Sequence, residues 1–329
     1  LKVDPDLTSD DYLLDAIATV FACGKPHFIN HMMMIDDLGP EYAAVSCYNS
    51  LKIGGGSHTL NRLNLKEVAL TSNCNVDQYL NEALPKYVQL MAELMTARIK
   101  FLVEESNFFN ADWLAREELI SLDKFSAMFG IFGLAEAVNI LMERAGESGK
   151  YGHSAAADDL GYLITSKVAE LVAKIEMPYC QGYGGKAFMH SQSGIDLDLD
   201  VTAGTRIPIG TEPDLFHHLK TVSRHHHLFA SAISDVLSFD ETAVNNPQAV
   251  VDVIRGAFEA GMRDFTFNLD SNDFIRITGY LVRKSDLAKM PDARHSSTKL
   301  GAGSVAGSFV DKRNLKRVMS HENAAGSNS

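Results

Sequence analysis

Two short stretches hold residues whose types and spacing can do chemistry: "SCYNSLKIGGGSH" around Cys47 and "DFIRITGYLVRK" around Gly279. A glycine between Thr278 and Tyr280 can simply relieve a turn or let one backbone pass close to another. It also has a rarer capacity. Its α-carbon can lose a hydrogen atom and flatten between two amides with no side chain to clash, so Gly279 can hold an unpaired electron. That reading requires a second residue able to use the radical. Cys47 lies in a loop followed by Gly54, Gly55 and Gly56, which permit tight backbone approach before a helix that begins near Asn64. Three glycines before a helix can also cradle phosphate, but no GxxxxGK[ST] pattern closes this loop.

The other three cysteines, Cys23, Cys74 and Cys180, form no CxxC with Cys47 or one another, so neither a zinc knuckle nor a redox dithiol is signalled. Cys180, in "MPYCQGYGG", is the strongest rival to Cys47, with a turn residue as its plain reading. His58, Asn61 and Arg62 follow the cysteine loop, and Arg206 and Glu212 lie in "TRIPIGTEP"; all are candidates for substrate binding or for structural polar roles. Arg276 and Arg283 bracket Gly279 and are read first as anchors of its loop, with Tyr280 supporting it. The run His225, His226 and His227 lacks helix-face metal spacing and is read as packing or surface histidines.

The elements that must position these residues are mostly helical. "LTSDDYLLDAIATVFACG" reads as a helix capped by Ser9 or Asp10 and closed by Gly24, and "PHFINHMMM" as a strand. Helical periodicity is expected over about 64 to 106, where Leu84, Val88, Met91, Met95 and Leu102 form one stripe. Further helices are expected at about 124 to 145 and 155 to 176. Near the end, Asn246 caps a helix with Pro247 in its first turn, and Val250, Ile254, Ala257 and Phe258 form its apolar stripe. "DFTFNL" then alternates as a strand, leading into the Gly279 stretch. Helix, strand and functional loop in this order is the grammar of an α/β barrel or sheet.

The 329 residues carry 46% hydrophobic and 22% charged side chains, an ordinary globular composition with room for a sizeable core. A formal net charge of -12, with the acidic residues spread along the chain and the short basic run "KRNLKR" read as a solvated face, lacks the usual footprint of nucleic-acid or anionic-membrane binding. No apolar run reaches membrane-spanning length and no signal peptide is legible, so a cytoplasmic protein is expected.

Taken together, the stretches resemble the glycyl radical enzymes, the group that includes pyruvate formate-lyase, diol- and choline-cleaving lyases and anaerobic ribonucleotide reductase. "IRITGYLVRKSDL" is similar to their glycine loop, and "SCYNSL" with "GGGSHTLNRLNLKEVAL" to their cysteine loop and following helix. "FGIFGLAEAVNIL", "AGTRIPIGTEPDLFHHL" and "NNPQAVVDVIRGAFEAGMRDFTFNLD" resemble connecting segments, and the match is most similar to the YjjI-type family. Thr278 stands where serine, cysteine or alanine is more frequent. Cys47 is followed by Tyr48 and Asn49 rather than by the glutamate of diol lyases or a second cysteine, and the reductases' zinc-binding cysteine pairs are absent. Those specific chemistries are therefore not carried over.

The resemblance implies an α/β barrel of the glycyl radical type, helix-rich, with the cysteine and glycine loops at its centre and an N-terminal portion outside this chain. It implies a catalytic part over 1–290, with the glycine radical loop at about 271–287, and a loop-rich extension over 291–329. It implies that a radical on Gly279 draws the thiol hydrogen from Cys47, leaving a thiyl radical that abstracts hydrogen from a small organic substrate under anaerobic conditions. No bound cofactor is implied. The glycyl radical is installed after translation by a separate S-adenosylmethionine-dependent [4Fe-4S] activating enzyme, the implied partner, and a homodimer is allowed. Two alternatives stay open: radical chemistry on a nucleotide or nucleoside, and a non-catalytic fragment or radical-domain repair protein.

Overall fold

The computed structural model of the chain describes residues 1–45, 49–191, 201–208, 210–233, 235–276 and 281–283. Cys47, Gly279 and Tyr280 lie outside them, as do residues 284–329 and with them the expected boundary near 290.

Strand β1 (Lys2–Val3) precedes α1 (Asp10–Cys23), whose Ser9 side chain accepts from the Tyr12 amide and whose Gly24 closes the helix at φ 69°. Both caps were expected from the sequence. The stretch expected as one strand from Pro26 to Met34 is instead a short strand β2 (Phe28–Asn30) followed at once by α2 (His31–Leu38). The Asn30 side chain caps that helix by accepting from the Met33 amide, and three consecutive methionines suit a helix as well as a strand. Strands β3 (Tyr42–Val45) and β4 (Asn49–Lys52) pair antiparallel, Val45 opposite Asn49, so three residues centred on Cys47 join them.

Strand β5 (Gly56–Asn64) ends where Asn64 caps α3 (Leu65–Ser72) by accepting from the Glu67 amide, as expected. The expected helical span to residue 106 is broken once, at Asn73 in the left-handed region, and resumes through a π turn into α4 (Leu84–Lys100). Leu84, Val88, Met91 and Met95 are buried on it, while Leu102 falls in a second π turn and yields its place to Ile99.

The expected helix at 124 to 145 is two elements: β6 (Phe125–Phe132), buried at all eight positions, and α5 (Leu134–Arg144). A strand covered on both faces has no alternation, so its apolar run reads equally well as a buried helix. Next come α6 (Ala155–Ala173), β7 (Ala187–Ser191), α7 (Leu215–His226), β8 (Ala232–Ile233), β9 (Leu237–Phe239) and α8 (Pro247–Glu259). Asn246 occupies the position before α8 but makes no side-chain cap, Pro247 lying in the first turn.

"DFTFNL" splits into β10 (Asp264–Phe265), antiparallel to β2, and β11 (Phe267–Leu269), parallel to β9, all buried rather than alternating. Strands β12 (Phe274–Arg276) and β13 (Leu281–Arg283) pair antiparallel, with Arg276 opposite Leu281 and four residues including Gly279 between them.

The centre of the fold is the parallel sheet β5-β6-β7-β8. One face carries Leu63, Phe129, Ile131 and Met189 into the main core, which α3, α4, α5 and α6 cover. The other face leads toward a small cluster in which Phe188 meets Tyr42 of β3, Ile29 of β2, and Met34 and Leu38 of α2. Glycines close the sheet's lower edge: a Cβ on Gly55 would stand 2.3 Å from the Lys124 carbonyl oxygen, and one on Gly182 2.2 Å from the same atom.

Arg263, 1% exposed, joins the modules that lead into the cysteine hairpin. Its guanidinium pairs with Asp37 of α2 and donates to the carbonyls of His226 (3.4 Å) and Ala230 (3.3 Å), while its amide donates to His226 Nδ1 at 2.8 Å. Removing the guanidinium leaves a cavity and takes the donor from the His226 and Ala230 carbonyls, while the part-exposed Asp37 can turn to water, so Arg263→Ala is expected to cost about 2–3 kcal/mol. A urea midpoint unchanged from wild type would contradict it.

Candidate functional site

Parallel pairing sets Arg62, Gly130, His190 and Ala232 opposite one another across the four central strands. Residues in register in a parallel sheet share a face, so the first three form a row on the face away from the main core. The missing Cβ of Gly130 makes room for its neighbour: a Cβ there would stand 2.5 Å from Arg62 Cγ, so the arginine stem crosses β6 at this glycine. The guanidinium carbon then lies 4.7 Å from the Phe132 ring centroid.

His190 follows in the row. It is 2% exposed, and neither ring nitrogen has a hydrogen-bond partner. Burial, assisted by the positive charge of Arg62, pushes its pKa down to about 3, so the ring is neutral at ordinary pH.

Ser191, the next residue, points to the opposite side and clamps the "AGTR" segment: its Oγ accepts from the Thr205 amide at 3.0 Å, and the two hydroxyl oxygens are 3.1 Å apart. The backbone passes so close that a Cβ on Gly204, at φ 54°, would stand 2.3 Å from Ser191 Oγ. Arg206 is thereby fixed near the C-terminal end of β7, 4% exposed and engaged with its surroundings. In parallel sheets this end is where ligands gather.

The cysteine hairpin lies on the His190 side. Phe188, two residues before His190 and so on its face, packs in one cluster with Tyr42 of β3 and Leu51 of β4. The Ser50 amide of β4 donates to the Ser231 carbonyl at 2.8 Å, immediately before β8. Tyr42 is held from below, its hydroxyl 2.7 Å from His31 Nδ1 and its ring 3.8 Å from the Lys2 ammonium. Strand β12, which leads to Gly279, follows β11 by a short turn in which the Asn272 amide donates to the Leu269 carbonyl at 3.0 Å.

The remaining residues singled out in the sequence scatter. His58 sits at the N-terminal end of β5, where Nε2 donates to the Tyr179 carbonyl at 2.7 Å and the ring lies against Phe109 and Phe125. Burial depresses its pKa, with that hydrogen bond opposing. Four residues separate it from Arg62, about 13 Å along a strand. Asn61 is in register with Phe129 and Met189, on the core-facing side, and its Oδ1 accepts from Thr59 Oγ1 at 2.8 Å. Glu212 is exposed and accepts from the Gly210 amide at 2.7 Å. Arg276 is described only as backbone paired with Leu281.

His225 and His226 are fully buried, as packing histidines. His225 lies between Tyr151, whose hydroxyl is 3.1 Å from Nε2, and Thr165, whose hydroxyl is 2.9 Å from Nδ1. Since Tyr151 donates to the Thr205 carbonyl at 2.7 Å, Nε2 carries the proton of a neutral ring. Among the described residues no group of three His, Cys, Asp or Glu is arranged to hold a metal ion.

Of the described cysteines, Cys23 is exposed, and Cys74 and Cys180 are buried in the main core on the helix side of the sheet. Burial pushes the Cys180 thiol up to about 12, which removes it as a thiolate. His190 is the residue that sequence reasoning passed over. Its only signal is a single histidine ending the apolar run "KAFMH" at the close of a central strand.

The family profile described as "Glycyl radical enzyme YjjI-like" matches residues 1–316. YjjI of Escherichia coli (strain K12) is 44% identical over 324 residues, which is 97% of this chain and 62% of that protein. The chain thus spans less than two thirds of the length of this relative. Among solved structures, a glycyl radical enzyme from Archaeoglobus fulgidus superposes with a TM-score of 0.68 at 10% identity, covering 91% of this chain and 52% of that one. An anaerobic ribonucleotide reductase superposes at 0.67 with 15% identity, covering 85% and 49%. At these identities the likeness speaks for the fold alone, an α/β barrel of the glycyl radical type.

Proposed function

Because the chain belongs to the YjjI-like glycyl radical enzyme family, we propose that it stores an unpaired electron on Gly279 and works through a thiyl radical on Cys47. The observation that carries this reading is the pair of short hairpins. β3 and β4 end on either side of Cys47, β12 and β13 end on either side of Gly279, and both rise from the same α/β scaffold.

The chemistry is two hydrogen-atom transfers. The Gly279 α-carbon radical takes the hydrogen of the Cys47 S–H bond, restoring the glycine C–H and leaving one unpaired electron on sulfur. The sulfur then takes a hydrogen atom from a substrate carbon, re-forming S–H and leaving a carbon radical on the substrate. A neutral thiol suits this work, unlike a nucleophilic cysteine that must first ionise. Installing the first radical removes one hydrogen atom from Gly279, and the partner for that step is a separate S-adenosylmethionine-dependent iron–sulfur activating enzyme. The substrate is a small organic molecule. A protein of formal net charge -12 is a poor match for nucleic-acid polymers, and none of the described helices is long and apolar enough to cross a membrane.

The test is anaerobic electron paramagnetic resonance on the full-length protein after treatment with its activating enzyme. A radical on glycine retains one α-hydrogen, so a doublet is expected. Absence of any organic radical signal, with the activating enzyme shown to work on its own cofactor, would overturn the proposal.

A further inference from the structure

We propose that His190 is the side chain that hydrogen-bonds an uncharged hydroxyl or carbonyl group of the molecule bound on the inner face of the central sheet. The inference rests on reading that face, which carries the cysteine hairpin, as the reaction chamber.

Buried polar side chains almost always find partners, and the exceptions call for a reason. His190 is such an exception, with both ring nitrogens buried and unpartnered at 2% residue exposure. Its position is fixed by the sheet rather than by a loop: its backbone is paired with Gly130 on one side and Ala232 on the other. Phe188 precedes it by two residues and stacks on Tyr183 at 3.9 Å, and the Arg62 stem crosses at Gly130. Ser191, adjacent in sequence, is occupied with Thr205.

The class of ligand follows from the imidazole. A neutral ring donates at one nitrogen and accepts at the other. A hydroxyl can answer either and a carbonyl can accept from the donor, whereas a carboxylate would carry an ionic charge into a buried site, which costs far more than burying an uncharged group. The depressed pKa of the ring, caused by burial and then by Arg62, keeps it in this neutral form. The Ser50 hydroxyl of β4, three residues after Cys47, is likewise buried and unpartnered.

The experiment is isothermal titration of the unactivated full-length protein with glycerol, hydroxyacetone and acetate as probes, alongside thermal unfolding of wild type and His190→Leu. Wild type is expected to bind glycerol or hydroxyacetone at least about tenfold more tightly than acetate. His190→Leu is expected to lose about tenfold or more of that affinity while its unfolding midpoint stays equal or rises, because an unpaired polar group has been removed. Unchanged affinity in the leucine variant, a preference for acetate, or no binding of the two uncharged probes to wild type would each overturn the proposal. Should the leucine variant not fold, His190→Phe serves, its ring keeping much of the imidazole's shape while carrying no polar atom. No radical is installed in these measurements, so their failure leaves the Gly279 assignment standing, and a missing radical signal does not alter their result.

Discussion

Gly279→Ala is expected to abolish the radical signal and turnover together, whereas Cys47→Ala is expected to keep the signal and lose turnover alone. The asymmetry follows from the separate tasks proposed for the two residues. A planar α-carbon radical conjugated with both flanking amides leaves no room for a methyl group in its plane. Alanine at 279 therefore loses the stored electron, and any residual radical there would couple to methyl protons rather than to one α-hydrogen. On the proposed mechanism Cys47 takes no part in storage. Its loss removes the atom that meets the substrate, and a fall in turnover of about three orders of magnitude or more is expected, about 4 kcal/mol of transition-state stabilisation. Cys23→Ala, Cys74→Ala and Cys180→Ala are expected to leave turnover within a few-fold of wild type, since Cys23 is exposed and the other two are buried in the helix-side core. Retained turnover in Cys47→Ala would reject the thiyl assignment even with a doublet present.

Acid is expected to destabilise the protein well before its carboxylates titrate. His190 and His225 are each pushed down to about 3 and His226 to about 4, by burial first of all. Asp235, whose Oδ2 is 4.0 Å from His226 Nε2, opposes the shift without cancelling it. Each ring binds its proton more tightly in the unfolded chain, where the pKa is near the ordinary value of about 6.5. Its stabilising contribution is therefore complete above about pH 6.5 and declines as the pH falls toward the folded value. At pH 5 the loss is about 2 kcal/mol per histidine, about 6 kcal/mol for three, against a total stability of about 5–15 kcal/mol for a typical domain. The carboxylates with resolved shifts, Asp10, Glu170 and Asp240, are lowered and exposed, so their effect lies at still lower pH and is screened. Urea midpoints between pH 7.5 and 5 isolate the histidines, and His225→Gln is expected to remove about a third of the slope. A midpoint that is flat or rises on acidification would contradict the buried, neutral assignment.

The sequence was most legible where local rules and tertiary packing agree. Ser9, Gly24 and Asn64 cap their helices as expected, and the stripe from Leu84 to Met95 faces the core. It failed where burial erased the pattern. β6 is covered on both faces, so its eight residues carry no period to separate strand from helix. Asn30 switches strand to helix within one run of apolar residues, a choice made by its cap and by contacts distant in sequence. The candidate site divides in the same way. Cys47 and Gly279 stood out by their neighbours in sequence, but nothing in "KAFMHS" distinguishes a paired histidine from an unpaired one. His58 and Arg62, close in sequence, lie well apart on β5, and Asn61 faces the opposite way from Arg62 because strand residues alternate.

The hairpins also set a chain economy. Val45 pairs with Asn49 and Arg276 with Leu281, so three residues including Cys47 and four including Gly279 are all the chain that lies between bonded partners. If those two residues act as proposed, connections this short replace random encounter with a high local concentration. The choice of the carbon atom attacked then passes to the molecule held beside the thiol.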